Sequence, residues 1–98
     1  MYQMALLESV KKVLRVTSNK FDDEIQFYID SAIADMHLAG IITDSMDENI
    51  EQGIKLYCKI NFGNPPQDVY ARLLKSYEDL KKSLSMTTGY TDWLEDEV

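Results

Sequence analysis

Four stretches of the sequence repeat apolar residues at intervals of three and four, the spacing that aligns side chains on one face of an α-helix. These positions are Leu6, Leu7, Val10, Val13 and Leu14; Ile25, Tyr28, Ile29, Ala32, Ile33 and Met36; Ile50, Ile54, Tyr57 and Cys58; and Val69, Tyr70, Leu73, Tyr77, Leu80 and Leu84. Each apolar face has to pack against another element, and the connections are mostly short. The sequence therefore predicts an all-α fold, a single-domain bundle of about four amphipathic helices.

Local signals set the expected ends of the first two helices. The first is expected over residues 4–15. The side chains of Ser18 and Asn19 can accept hydrogen bonds from the free amides at the start of the second helix. Gly40 suits the left-handed conformation that follows a helix, so the second helix is expected to end there. Residues 41–46 are compatible with either a loop or a short extended piece.

The third and fourth helices also have recognisable starts. Ser45 followed by Glu48 matches the capping-box pattern, which predicts that the third helix begins there. Asn64 before Pro65 predicts a capping side chain followed by a proline at the first helical position, where the missing N–H is tolerated. The fourth helix is then expected to reach about Ser85.

The last residues differ in character from the rest. We expect residues 1–86 to form the helical domain and residues 87–98 to form an acidic tail. Tyr90, Trp93 and Leu94 are the kind of anchors that contribute most to protein interfaces, so the tail is a candidate docking segment. The alternative is that Trp93 packs on its own domain or frays with the terminus.

Charge is arranged in blocks around a formal net value of −7. Residues 1–20 carry four bases and one acid, and residues 21–53 carry nine acids and no base. Residues 54–86 carry six bases and three acids, and residues 87–98 carry four acids and no base. Proteins that grip phosphate backbones are usually basic, so sequence-specific nucleic-acid binding is disfavoured. A helix-turn-helix is disfavoured too, because the second helix is acidic.

No constellation of residues for catalysis, metal or cofactor binding is found. His37 and Cys58 are the only residues of their kinds, and neither has the spacing of a zinc site or a nucleophilic site. We expect His37 to be a boundary side chain and Cys58 a small buried hydrophobe. The acidic run around Met46 does not follow the ligand pattern of a calcium loop. The sequence therefore predicts a protein that is not an enzyme and works through its surfaces.

Nothing in the sequence predicts a membrane or secreted protein. The longest stretch without a charged residue, from Ser83 to Thr91, is far shorter than the roughly 18 residues that a spanning helix needs. The N-terminal residues lack the features of a secretory signal. The single Cys58 cannot form an internal disulfide, which fits a reducing compartment.

Three segments carry a resemblance to a known family. They read LLESVKKVLRVTSNKFDDEIQFYIDSAIADM, GIKLYCKINFGNP and LLKSYEDLKKSLSMTTGYT. From about Leu6 to Thr91 the chain resembles the head-tail connector proteins of tailed bacteriophages and prophages, also called head-completion or DNA-packaging adaptor proteins. The acidic end after Asp92 lies outside the resemblance.

This resemblance implies a structural role in virion assembly. The subunit would assemble into a ring beneath the portal vertex, extend the DNA channel and receive the tail or a stopper protein. Its partners would be the portal protein, the tail or stopper protein and further copies of itself, and DNA would pass through the channel. It would be found in the host bacterial cytoplasm during assembly and then in the virion.

A closed ring requires two different surfaces on every subunit, and the charge blocks suit such a contact. We expect the acidic face of the second helix to meet basic residues of the first or fourth helix of the next subunit, with charge setting orientation and register. The alternative is that these charges pair inside one subunit or face water. The candidate interface residues are Lys11, Lys12, Arg15, Asp22, Asp23, Asp30 and Asp35.

Two rival functions remain open at this stage. One is a small acidic inhibitor that occupies the nucleic-acid-binding site of an enzyme by presenting carboxylates in place of phosphates. The six bases in residues 54–86 interrupt the acidic surface that such an inhibitor needs. The other is a helical protein-interaction module.

Overall fold

The fold, seen in a computed structural model that describes residues 2–43 and 47–86, consists of helices joined by short connections. The helices are α1 (Tyr2–Leu14), α2 (Asp22–Leu38), α3 (Glu48–Asn61) and α4 (Gln67–Ser85). The described ranges contain no strand, so the predicted all-α class is confirmed. None of these helices is both long enough and apolar enough to cross a membrane.

The central element is α3, which contacts each of the other three helices. Ile50, Ile54 and Cys58 are fully buried, as their spacing predicts. Leu56 and Ile60 are also buried, although they lie off that stripe. A helix surrounded by others buries more than one face, which a search for a single amphipathic stripe does not detect.

The other helices contribute one buried face each to the same core. From α1 and α2 the buried side chains are Leu6, Val10, Ile25, Ile29, Ala32 and Met36. From α4 they are Tyr77 and Leu84. A Cβ on Gly53 would lie only 2.5 Å from the Met36 Cε, so the glycine gives the end of the Met36 side chain room against α3.

Two helices end in the same backbone motif with different residues at its left-handed position. At the end of α2, Gly40 has φ 87°, and Ile41 N donates to Met36 O at 3.0 Å. This confirms the predicted role of Gly40. At the end of α1, Val16 N donates to Lys11 O at 3.0 Å, and Arg15 adopts φ 60°. An L-residue in this conformation costs about 1 kcal/mol relative to glycine.

The start of α2 differs from the prediction. The residue before the helix is Phe21, and no side chain caps the first turn. Ser18 Oγ accepts a hydrogen bond from Lys20 N at 3.0 Å, and Lys20 lies in the loop before the helix. Asn19 accepts from Asp22 N through its backbone carbonyl at 3.3 Å, because its side-chain oxygen is bonded to Lys11.

The starts of α3 and α4 also differ. Asp47 caps α3 and accepts from Asn49 N at 3.1 Å, whereas the predicted cap, Ser45, lies outside the described residues. The prediction that Pro65 opens α4 is wrong: the helix begins at Gln67, and Asn64 is left-handed with φ 51°. The ring of Pro66 disfavours the helical conformation at the residue before it. In the preceding connection, residues 41–43 form neither helix nor strand.

The central position of α3 makes a prediction about stability. Ile54→Ala should lower the free energy of unfolding by about 2–5 kcal/mol, because it leaves a cavity at a fully buried site. Gln52→Ala on the exposed side of the same helix should change it by less than about 0.5 kcal/mol. Urea unfolding followed by circular dichroism measures both. Equal effects of the two substitutions would contradict the central placement of α3.

Candidate subunit interface

One group of candidate charges pairs inside the chain, where α1 meets α2. Lys11 is only 4% exposed, and its Nζ lies 2.7 Å from Asp22 Oδ1. The same ammonium donates to Asn19 Oδ1 at 3.0 Å. A buried ammonium needs such partners, because burying an unpaired charge is costly. Lys11 and Asp22 therefore hold the α1–α2 connection together, and their charges are already engaged within the subunit.

A second internal network joins α2 to α4. Asp35 Oδ2 accepts from the Tyr77 hydroxyl at 2.6 Å and from Lys81 Nζ at 2.9 Å. Lys81 Nζ also lies 3.4 Å from Glu78 Oε1 and 5.1 Å from the centre of the Tyr77 ring. The Tyr77 ring packs edge-on against Tyr57 of α3, with 5.5 Å between centroids. The Asp35 charge is therefore engaged within the subunit too.

This network changes the pKa of its members. Burial opposes ionisation of Asp35, but the hydrogen bonds from Lys81 and Tyr77 outweigh it and lower the pKa of the carboxyl. Burial likewise opposes charge on Lys81, and its bond to Asp35 outweighs that effect and raises the pKa of the amine. Burial, and then the bond to Asp35, raise the pKa of Tyr77, so the hydroxyl remains a donor.

The remaining candidate charges face solvent. Lys12, Arg15, Asp23 and Asp30 are exposed, and none forms an ion pair within residues 2–43 and 47–86. Asp30 accepts a hydrogen bond from Gln26 Nε2 at 3.0 Å on the same helix. Of the predicted interface residues, these four are the ones whose charges are available to another molecule.

The face of α2 opposite the core is also partly apolar. Phe27 is 64% exposed and Leu38 is 88% exposed, which are high values for large hydrophobic side chains. Helical spacing places them on the same side as the exposed Ala34. We call this side the outer strip of α2, formed by Asp23, Phe27, Asp30, Ala34 and Leu38. Exposed apolar surface of this kind, bordered by charge, is typical of protein contacts.

Sequence reasoning missed the outer strip because it followed only the predominant stripe. Phe27 lies two positions after Ile25, and Leu38 two positions after Met36, so both are out of phase with the buried face. That phase difference was a detectable signal in the sequence. A helix that is apolar on two sides is expected to contact neighbours on both.

A shallow depression lies at the C-terminal end of the outer strip, lined by Asp30, Ile33, Ala34, His37 and Leu38. His37 is exposed, and its Nε2 lies 3.1 Å from Thr43 Oγ1. Its position beside the buried face of α2 agrees with the boundary position that the sequence predicts. The floor of this depression is largely apolar and carries one carboxylate, that of Asp30. Such a surface suits contact with a side chain of another protein.

The described residues provide no cluster of three or more His, Cys, Asp or Glu that could hold a metal ion. Cys58 is fully buried on α3, as predicted. Burial raises the pKa of Cys58 to about 12. The nucleophilic thiolate is therefore negligible at neutral pH. The proposed docking residues Tyr90, Trp93 and Leu94 lie outside the described residues.

The Asp35 network makes a prediction about pH. Its lowered pKa stabilises the fold at neutral pH, and this stabilisation is lost as the pH falls through the folded-state value. Tyr77→Phe removes one donor and should raise the pKa of Asp35, so the loss begins at higher pH. NMR titration of the Asp35 carboxyl carbon measures the shift. Tyr70→Phe, at an exposed tyrosine of α4, is the control, and an unchanged Asp35 pKa in Tyr77→Phe would refute the network.

Comparison with known proteins agrees with the sequence resemblance. The family model described as phage connector protein matches residues 6–91, which include α2, α3, α4 and most of α1. No curated protein and no solved structure matches the chain. The match extends over far more than half of the chain. The chain therefore belongs to the phage connector protein family, a family of structural proteins of the bacteriophage head-tail connector.

Proposed function

We propose that this protein is a head-tail connector subunit that assembles into a ring under the portal, extends the DNA channel and joins the head to the tail. The observation that carries this proposal is the family match over residues 6–91. Its activity is mechanical: the helices form a packed unit, and the exposed surfaces bind neighbouring proteins. The protein is then a component of the finished virion.

The surface of the subunit supports assembly into a closed ring. Every subunit of such a ring offers two different surfaces, one to each neighbour. The outer strip of α2 carries exposed acids, whereas the exposed Lys12 and Arg15 lie at the end of α1. Surfaces of opposite sign on different sides of one subunit allow a head-to-tail contact between copies.

The charge of the chain also fits a channel through which DNA moves. With a net charge of −7, the subunit as a whole does not attract phosphate groups. Binding to DNA gains much of its free energy from counterions that basic residues release, and an acidic wall offers little of this gain. DNA can therefore pass without being held.

We propose that residues 87–98 contact the portal protein or the tail or stopper protein, through Tyr90, Trp93 and Leu94. Aromatic side chains beside acids provide apolar contact area together with charge. The rival function, an acidic inhibitor of a nucleic-acid enzyme, is not supported by the family match. Exposed bases on α1 and α4 also interrupt the acidic surface that it requires.

Native mass spectrometry of the chain with and without its portal protein tests the proposed function. We expect a closed complex in which several copies of the chain sit on each portal ring. Because charges orient the contact, raising the salt from 0.1 M to 1 M should weaken the assembly, while helicity by circular dichroism stays constant. Failure to bind the portal, together with absence from purified virions, would refute the proposal.

A further inference from the structure

We infer that the outer strip of α2 binds the end of α1 on a second copy of this chain. The surface at the end of α1, which we call the basic corner, consists of Lys12, Val13 and Arg15. The inference rests on the proposed ring assembly and goes beyond it by naming the two surfaces that meet. It commits to a second copy as the occupant of the outer strip.

The apolar part of the outer strip supplies the area for such a contact. Phe27 and Leu38 lie on one side of α2, with Ala34 between them. The depression beside Leu38 is lined by Ile33 and Ala34 as well, and an apolar side chain can enter it. On the basic corner, Val13 is partly exposed and is not among the side chains packed against the core.

The charges select which surface of the second copy fits. Asp23 and Asp30 border the apolar side chains of the outer strip, whereas Lys12 and Arg15 flank Val13 in the sequence at the end of α1. Two outer strips facing each other would bring acids against acids, so a two-fold contact through α2 is disfavoured. The contact is therefore between unlike surfaces, which generates a ring when the rotation closes.

Other surfaces of the chain fit less well. The groove between α3 and α4 presents Tyr70 and Leu74, but its charged rim is acidic through Asp35 and Glu78. Both acids are engaged with Lys81, so this groove offers the outer strip no free basic partner among the described residues. On the outside of α4, Lys75 is engaged with Asp79 at 3.1 Å, whereas Arg72 and Lys82 are exposed, so the charge-reversal control at these two residues tests α4 as the alternative surface. The basic corner is free of such internal partners among the described residues.

The side chain of Arg15 is consistent with this contact. Arg15 occupies the left-handed position that Gly40 occupies at the end of α2, and its φ of 60° is unfavourable for an arginine. Its side chain is exposed and makes no ion pair within the described part of the chain. The hydrogen bonds that end α1 account for this backbone conformation, whereas the guanidinium is left available to another copy of the chain.

A charge exchange tests the contact, using the full chain with its portal protein. One variant carries Asp23→Lys and Asp30→Lys, and the other carries Lys12→Glu and Arg15→Glu. Each alone should self-associate at least about tenfold more weakly, because like charges then face each other. Mixing the two variants should restore assembly with alternating subunits, measured by native mass spectrometry.

Controls with the same change in net charge use exposed residues elsewhere. Glu48→Lys with Asp68→Lys matches the first variant, and Arg72→Glu with Lys82→Glu matches the second. Both controls should assemble like the wild type, and thermal unfolding should confirm that every variant is folded. Assembly of the test variants at wild-type strength would overturn the inference, as would failure of the mixture to assemble.

Photo-crosslinking separates this inference from the proposed function. Benzoylphenylalanine in place of Phe27 should link one copy of the chain to another when the portal protein is present. A chain that binds the portal but gives no adduct between copies would overturn the inference and leave the connector role intact. A chain that neither binds the portal nor forms adducts would remove both.

Substitutions at Arg15 distinguish a residue that contacts another copy from a residue with only a structural role. Arg15→Gly should raise the unfolding temperature by about 4 °C, because it relieves the left-handed backbone. It should also weaken assembly by about tenfold, whereas Arg15→Lys should largely keep it. Assembly of Arg15→Gly at wild-type strength would exclude the arginine from the contact.

Discussion

The burial of α3 among the other three helices is the constraint on which the rest of the structure depends. Because α3 occupies the centre, α2 can pack against it with only one face, through Ile25, Ile29 and Met36. The opposite face is left outward along the whole helix. The apolar residues on that face, Phe27 and Leu38, then have no place in the core of the subunit and are available to another molecule.

The internal ion pairs determine how firmly this outward face is held. Lys11 joins the start of α2 to α1 through Asp22, and Lys81 joins the later part of α2 to α4 through Asp35. Both contacts are partly or largely screened from water, so they orient α2 more effectively than exposed pairs would. A surface that is already oriented loses less entropy when it binds another protein.

Part of this structure could be predicted from the sequence and part could not. The apolar spacing predicted the helices, and Gly40 predicted the end of α2, because both depend on local geometry. The burial of Lys11 was missed because it depends on Asn19 and Asp22 across a turn. The start of α4 was predicted wrongly because Pro66 disfavours the helical conformation at Pro65. Tertiary packing determines which charges form internal pairs and which stay exposed. The distribution of charge along the sequence does not reveal this.

We propose that α2 builds the subunit with one face and joins subunits with the other. An electron cryomicroscopy structure of the chain assembled on its portal protein tests this most directly. We expect the side chains of Phe27 and Leu38 to be covered by a neighbouring copy, with the Arg15 guanidinium of that copy close to Asp23 or Asp30. Assembled subunits in which this face of α2 remains in solvent would contradict it.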